Sequence, residues 1–295
     1  MKTFLLLVAI TCGIFFPYGY DYTFLIRYFL MVLLFFSFLE VKIGKEIVTV
    51  QHFIILTIMI GISLMLYFII KPFDPEAAQS AFIMAIGPTA IAAPVIISLK
   101  KGKVEFVTFS LLLNNIVIAL LLPLLLPFIL AGKTGITVME ILIPVVITLA
   151  IPLVAAQIVK SVTPKVWKWL VEWKDSAFYL LILNIYIATS DAADYISNES
   201  PEHYSTLLLI GLLAGALCVF LFSLGWIVGG KEYAAEASQS LGQKNNAFTI
   251  WIALAYMNPV AVIGPVFYVM FQNIYISWEL YMHNRRENKM VNVNL

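Results

Sequence analysis

Residues 240–248 read SLGQKNNAF, and the fold turns on how this run is placed. Lys244 follows Gly242 by two positions and precedes two asparagines. From Asn245 to Trp278 there is then no Asp, Glu, Lys or Arg. A lysine and a cluster of amides therefore stand at the mouth of a long apolar stretch.

The rest of the chain says what surrounds that stretch. The 295 residues are 62% hydrophobic and 12% charged, with a mean hydropathy of +0.95. Globular domains are nearer 45–50% apolar and about 25% charged. No soluble core of this length could hide so much apolar surface, so the expected solvent is lipid. The net charge of +1 argues against nucleic acid as a partner. Cys12 and Cys218 both lie in apolar runs and read as small hydrophobes, with no disulfide and no metal site. The first residues, MKTFLLLVAITCG, could pass for a signal peptide. A first membrane helix is the favoured reading, because the cleavage pattern is poor and a second apolar run follows at once.

A membrane helix needs roughly 20 mostly apolar residues. Ten candidates are expected, making an all-α membrane protein: Phe4–Pro17, Tyr22–Leu39, Val48–Ile70, Ala77–Leu99, Phe106–Leu130, Met139–Val159, Ser176–Ala193, Tyr204–Val228, Ala234–Met257 and Pro259–Tyr281. With alternating sides, fourteen of the 18 Lys and Arg residues fall on one side. Lys71 and Lys133 alone fall on the other, and Arg27 and Lys244 fall inside spans. The basic side is cytoplasmic, so both termini are expected there, with residues 286–295 as a tail. Arg27 lies five residues into its span, and snorkelling to the interface is the favoured reading of it. Between the sixth and seventh spans, TPKVWKWLVEWKD suits a short interfacial helix anchored by Trp167, Trp169 and Trp173.

Ten spans invite a search for a repeat of five. The fourth and ninth both break at glycine, in AIGPTAIAAP and in SLGQKNNAF. The fifth and tenth carry amide pairs, Asn114-Asn115 and Gln272-Asn273. An odd number of spans turns the second copy upside down, so the expected architecture is a five-plus-five inverted repeat with broken helices 4 and 9. Matching breaks in corresponding helices point to a transporter site near the midplane. A broken helix must face protein or a watery cavity, and its half-helix ends offer carbonyls to a cation or N–H groups to an anion.

Gln51, Thr89, Asn114, Asn115, Ser240, Gln243, Lys244, Asn245 and Asn246 gather at or near the breaks. Each has a plainer reading. Gln51, Ser110 and the Asn114-Asn115 pair could merely bridge helices, Gly87-Pro88 could be only a kink, and Lys244 could snorkel. A buried ammonium with no acid adjacent in sequence is nonetheless a candidate functional group. Catalysis finds little support: there is no HExxH and no GxSxG, and Asp191 and Asp194 read as a solvated helix end. Of the histidines only His52 lies in a span, where it reads as a packing residue.

With these pieces in place, the chain resembles the bile acid:sodium symporter family over nearly its whole length. The most specific pieces are the glycine-proline break followed by SLKKGKVEF, then GQKNN, then NPVAVIGPVFYVMFQN. The resemblance implies a core domain (helices three to five and eight to ten, here 46–133 and 201–285) and a panel domain (helices one, two, six and seven, here 1–45 and 134–200). It implies uptake of organic anions with sodium, by a monomer. Carried over by position, the family's helix-three glutamine looks like Gln51. Its Ser-Asn pair corresponds to Ala93-Pro94, and two hydroxyls correspond to Val107 and Leu111. Its helix-nine glutamate corresponds to Ser240, its glutamine to Lys244 and the next asparagine to Asn245. Most sodium ligands are thus gone. A hard cation needs oxygens, and a fixed positive charge stands where one would bind.

The resulting expectation is a secondary transporter of the inner membrane that carries a small organic anion by alternating access. Lys244, with Gln51 and Ser240, replaces bound sodium, its ammonium donating to carbonyls and to Gln51, Ser240 or Asn114. Burial disfavours a charged ammonium, so Lys244 could also load and release a proton. The half-helix N-termini with Thr89, Asn114, Asn115, Gln243, Asn245 and Asn246 take the anionic head group. No cofactor and no metal are expected, and no enzymatic activity. A cation/proton antiporter, with Glu236 as its carboxylate, and a passive channel are the rivals.

Overall fold

Val50–Ile70 is an uncharged run of 21 residues, and it forms one uninterrupted helix, α3. The computed structural model in which it stands describes residues 2–39, 47–130, 137–173, 176–198 and 203–293. Before it come α1 (Lys2–Phe15), a 3-10 turn (Tyr20–Tyr22) and α2 (Leu25–Phe38). After it come α4 (Pro75–Ile86), α5 (Ala93–Leu99), α6 (Val104–Ile129), α7 (Val138–Val162), α8 (Pro164–Glu172), α9 (Ala177–Asn198), α10 (His203–Gly242), α11 (Asn246–Tyr256) and α12 (Pro259–Val293). The described residues contain no strand.

Five helices are long and apolar enough to cross a bilayer unaided: α3, α6, α7, and the Ser205–Gly242 and Pro259–His283 parts of α10 and α12. The pair α8 and α9, bent by 57°, makes a sixth if counted as one span. At 1.5 Å per residue, α2, with 14 residues, reaches about 21 Å, short of the roughly 30 Å hydrocarbon core. The molecule is therefore an all-helical, multi-pass membrane protein.

The expected fourth span is two helices. Asp74 caps α4 by accepting from the Glu76 and Ala77 N–H groups at 3.1 and 2.9 Å, with Pro75 in the first turn. α4 then stops at Gly87, which sits at ψ 128° ahead of Pro88. A residue before proline is pushed out of the helical region, and proline has no N–H to continue the ladder. The expected ninth span is also divided, at 243–245, between the end of α10 and α11.

α10 itself is a hairpin. Gly230 lies at φ 60°, ψ −144°, and Tyr233 is also out of the helical region, so a limb of residues 203–229 folds back on one of 234–242. The limbs touch through glycine. A Cβ on Gly225 would lie 2.6 Å from the Ala237 carbonyl oxygen, and one on Gly229 would lie 2.7 Å from the Ala234 backbone. This is small-residue packing at four-residue spacing. The expected tail beginning at 286 is instead a continuation of α12, which runs to Val293. Lys42, Lys45, Lys133 and Lys174 of the charge count lie outside the described residues, as do the boundaries drawn at 45, 133 and 200.

The helices pack in two groups. α3, α4, α5, α6, α10 and α12 pack on one another, with α11 against α4 and α12; α1 and α2 pack on α9, and α7 joins α2 to the amphipathic α8. α8 buries no residue, but the Trp167 indole N–H donates to the Leu39 carbonyl at 3.0 Å. The groups meet chiefly where α12 touches α9, α6 touches α7, and α11 touches α2 and α9.

Candidate functional site

The two helix breaks cross. Thr89 and Lys244 lie opposite one another in a short antiparallel bridge. The Ala90 N–H donates to the Gln243 carbonyl, and the Asn245 N–H donates to the Pro88 carbonyl, each at 2.8 Å. Backbone freed by each break is thereby paired with the other break, as an apolar solvent demands.

The side chains repeat the exchange. The Thr89 hydroxyl donates to the Ser240 carbonyl at 2.6 Å, four residues before Lys244. The Lys244 ammonium donates to the Ala85 carbonyl at 3.0 Å, four residues before Thr89. Each bridge residue thus closes the last turn of the helix that leads into the other break. These turns carry carbonyls with no partner inside their own helix. The Tyr268 hydroxyl closes a third, donating to the Gly242 carbonyl at 2.8 Å. A cation at the end of α4 also sits at the negative end of that helix.

The amide pairs brace the bridge from outside. Asn114 donates to the Thr89 hydroxyl at 2.7 Å, and Asn115 donates to the Thr89 carbonyl at 2.9 Å. On the other side the Lys244 N–H donates to Gln272 Oε1 at 2.7 Å, which also accepts from Asn246 Nδ2 at 3.2 Å. Asn115 and Asn273 each bond the carbonyl four residues back, of Leu111 and Val269. Asn245 caps α11, its Oδ1 accepting from the Phe248 N–H at 3.3 Å.

Of the residues singled out in sequence, Thr89, Asn114, Asn115, Ser240, Gln243, Lys244, Asn245 and Asn246 are brought together. Lys244 is 1% exposed, which corrects snorkelling as a reading of it. Its ammonium bonds the Ala85 carbonyl and not Gln51, Ser240 or Asn114 as expected. The Ser240 hydroxyl is turned to the Glu236 carbonyl. Gln51 stands in the first turn of α3, and no hydrogen bond joins it to Lys244. Its neighbour His52 is the buried one, held between Thr49 and the Phe106 carbonyl. Thr89 is fully buried with its hydroxyl committed on both sides, so in this structure it holds the crossing together.

Several amide atoms around the crossing have no protein partner although buried: Asn114 Oδ1, Gln243 Oε1, Asn245 Nδ2 and Asn246 Oδ1, with the Ser110 hydroxyl. Buried polar atoms are rarely left so. A cavity of about 230 Å³, which reaches the crossing only through Asn115, is walled by Phe38 of α2, by Leu111, Asn115 and Ile116 of α6, and by Val146 and Leu153 of α7.

On the Lys100 side, ion pairs tie the break to its neighbours. Lys100 lies 2.5 Å from Glu279, whose other oxygen accepts from Gln239 at 2.6 Å. Glu236 is buried, but its carboxylate accepts from the Lys103 N–H at 2.7 Å and serves the turn between α5 and α6. Among the described residues no carboxylate pairs with Lys244. In the exposed pair beside that turn, the Lys103 hydrogen bond holds the Glu232 carboxyl below its ordinary range, and Glu232 raises Lys103 in return.

Two partners in this assembly escaped the sequence reading, Tyr268 and the Ala85 carbonyl, and Arg27 was read differently. Tyr268 lies in an apolar run where a tyrosine reads as packing. A carbonyl leaves no trace in sequence. Arg27 does not snorkel; it turns into the protein between α7 and α11.

No known family model matches the chain, and no curated protein matches it.

Proposed function

We propose that this protein is a secondary transporter that moves a small organic anion across the inner membrane by alternating access. Its ten spans would form two inverted five-helix repeats, with α4–α5 and the distal limb of α10 with α11 as the broken members. The observation that carries this reading is the reciprocal exchange at the crossing, Thr89 to the Ser240 carbonyl and Lys244 to the Ala85 carbonyl. Two copies of one structure meeting head to tail produce such an exchange, and paired broken helices are the hallmark of transporter sites. The helix group holding the crossing would be the core and the group of α1, α2, α7 and α9 the panel, as the resemblance to the bile acid:sodium symporter family implies. Both termini would be cytoplasmic.

In this reading Lys244 stands permanently where a coupling cation would bind. Its ammonium satisfies carbonyls that would otherwise call for sodium. Asn245 Nδ2 and the α11 N-terminus offer donors to the substrate, and the cavity against α2 and α7 takes its apolar body. The antiporter rival gains nothing from Glu236, whose carboxylate is spent on Lys103.

Reconstituted protein should take up organic acids into liposomes at the same rate with and without a sodium gradient. Lys244→Gln should lose most of this flux. Sodium should raise the melting temperature of Lys244→Gln and leave the wild type unmoved, since a ligand stabilises the state that binds it. Uptake that requires a sodium gradient in the wild type would end the sodium-free reading. Single-channel currents would end the carrier reading itself.

A further inference from the structure

Two basic side chains lie within the expected spans, and they are used differently. Lys244 is sealed inside the crossing. Arg27, on α2, is only partly buried. Its Nε donates to the Thr148 hydroxyl at 2.9 Å and one Nη to the Pro144 carbonyl at 3.4 Å, both on α7. Its guanidinium carbon stands 5.8 Å from the centroid of the Trp251 ring on α11. Among the described residues no carboxylate pairs with it.

These contacts fix a planar group in three ways. Thr148 and Pro144 take one edge of the fork. Trp251 lies against its face, a placement worth more where water is scarce. The remaining edge, with its second Nη, has no partner among the described residues. A guanidinium held rigidly with one edge open is matched in shape and charge to a carboxylate or sulfate, which takes two parallel hydrogen bonds. A cation in the first turn of an apolar helix, turned toward protein and without a carboxylate, is a candidate functional group.

The side chains left unpartnered at the crossing are mostly acceptors. They include the oxygens of Asn114, Gln243 and Asn246 against the one nitrogen of Asn245. Oxygens ask for donors, such as hydroxyls. Trp251 lies five residues beyond Asn246, about 7.5 Å along the α11 axis. Arg27, set against Trp251, and the amides of the crossing therefore lie at positions about that far apart along one helix.

We propose that Arg27 receives the acidic group of the transported molecule, and that this molecule is an organic acid bearing hydroxyl groups toward its other end. The assignment rests on the transporter reading and adds its selecting residue. Neither α2 nor α7 contributes a residue to the crossing, so Arg27 can be changed without touching it.

The test is thermal-shift titration of the full chain in detergent with ω-hydroxyhexanoate, hexanoate and ω-hydroxyhexanamide, with liposome uptake of the hydroxy acid alongside. The wild type should bind the hydroxy acid most tightly, hexanoate less and the amide least. Arg27→Gln should weaken both acids by roughly tenfold to a hundredfold and leave the amide unchanged. Arg27→Lys, which keeps charge and loses the fork, should fall between. A wild type that answers to none of the acids overturns the proposal. So does an Arg27→Gln protein that melts lower yet binds the acids unchanged, since Arg27 would then be only a brace between α2, α7 and α11. Uptake undiminished in Arg27→Gln removes the site and spares the transporter. Binding through Arg27 without any flux removes the transporter and spares the site.

Discussion

Lys244 and Thr89 make the same bond in opposite directions, yet losing them has different consequences. Thr89→Val strips a hydroxyl that both donates to Ser240 and accepts from Asn114. It leaves two buried groups unpaired and should cost about 1–3 kcal/mol, read as a lower melting temperature. Thr89→Ser keeps the hydroxyl and should restore most of that loss. Lys244→Ala removes a long buried side chain as well as a donor, and about 2–5 kcal/mol is expected. A smaller loss in Lys244→Ala than in Thr89→Val would mean that the ammonium does not hold the end of α4. Much of this was legible in SLGQKNNAF and AIGPTAIAAP, because glycine, proline and amides announce a break. The partner of Lys244 was not legible, since Ala85 contributes only a backbone oxygen. Gln51 was misplaced because a span boundary does not say which way the first turn faces.

The breaks and the hairpin show what helices need in order to stop. α4 ends at Gly87-Pro88 and α10 ends beside Gly242, and both stops were readable. The end of α12 was not. No glycine or proline follows Pro265, so nothing in the backbone stops the helix where the apolar residues stop. Hydropathy marks where lipid ends, and a helix can continue into water. In α10, Gly225 and Gly229 bring the two limbs into backbone contact, and the obstacle to a side chain there is the Ala237 carbonyl and the Ala234 backbone. Backbone cannot rotate aside as a side chain can. Gly225→Ala should therefore spread the hairpin and lower the melting temperature by more than Gly61→Ala on α3, where a Cβ meets nothing within 4 Å. Equal effects at the two positions would show that the limbs can separate freely. Because the distal limb leads straight to Gln243, spreading should also cut transport.

At the scale of the whole molecule, two helix groups meet along several helix pairs, and one of these is α11 on α2. Trp251 and Tyr256 of α11 reach across it, Trp251 to Arg27 and Tyr256 to the Glu140 carbonyl at 3.4 Å. If the two groups rock as proposed, these contacts must break, and the state described here would then be the one closed on that side. The lysine distribution proposes which side this is: a fluorescent protein fused after Leu295 should fold and emit in cells if that terminus is cytoplasmic, and a dark fusion would reverse the orientation. One consequence follows from the ammonium beneath the crossing. A sodium ion that binds and departs links a carrier to two ionic concentrations, one on each side of the bilayer. An ammonium tethered by its own methylene chain has no concentration on either side. If the protein is the proposed carrier and the ammonium keeps its proton through the cycle, nothing but the substrate's own electrochemical gradient can do work on it, and transport must run down that gradient and halt when it is gone.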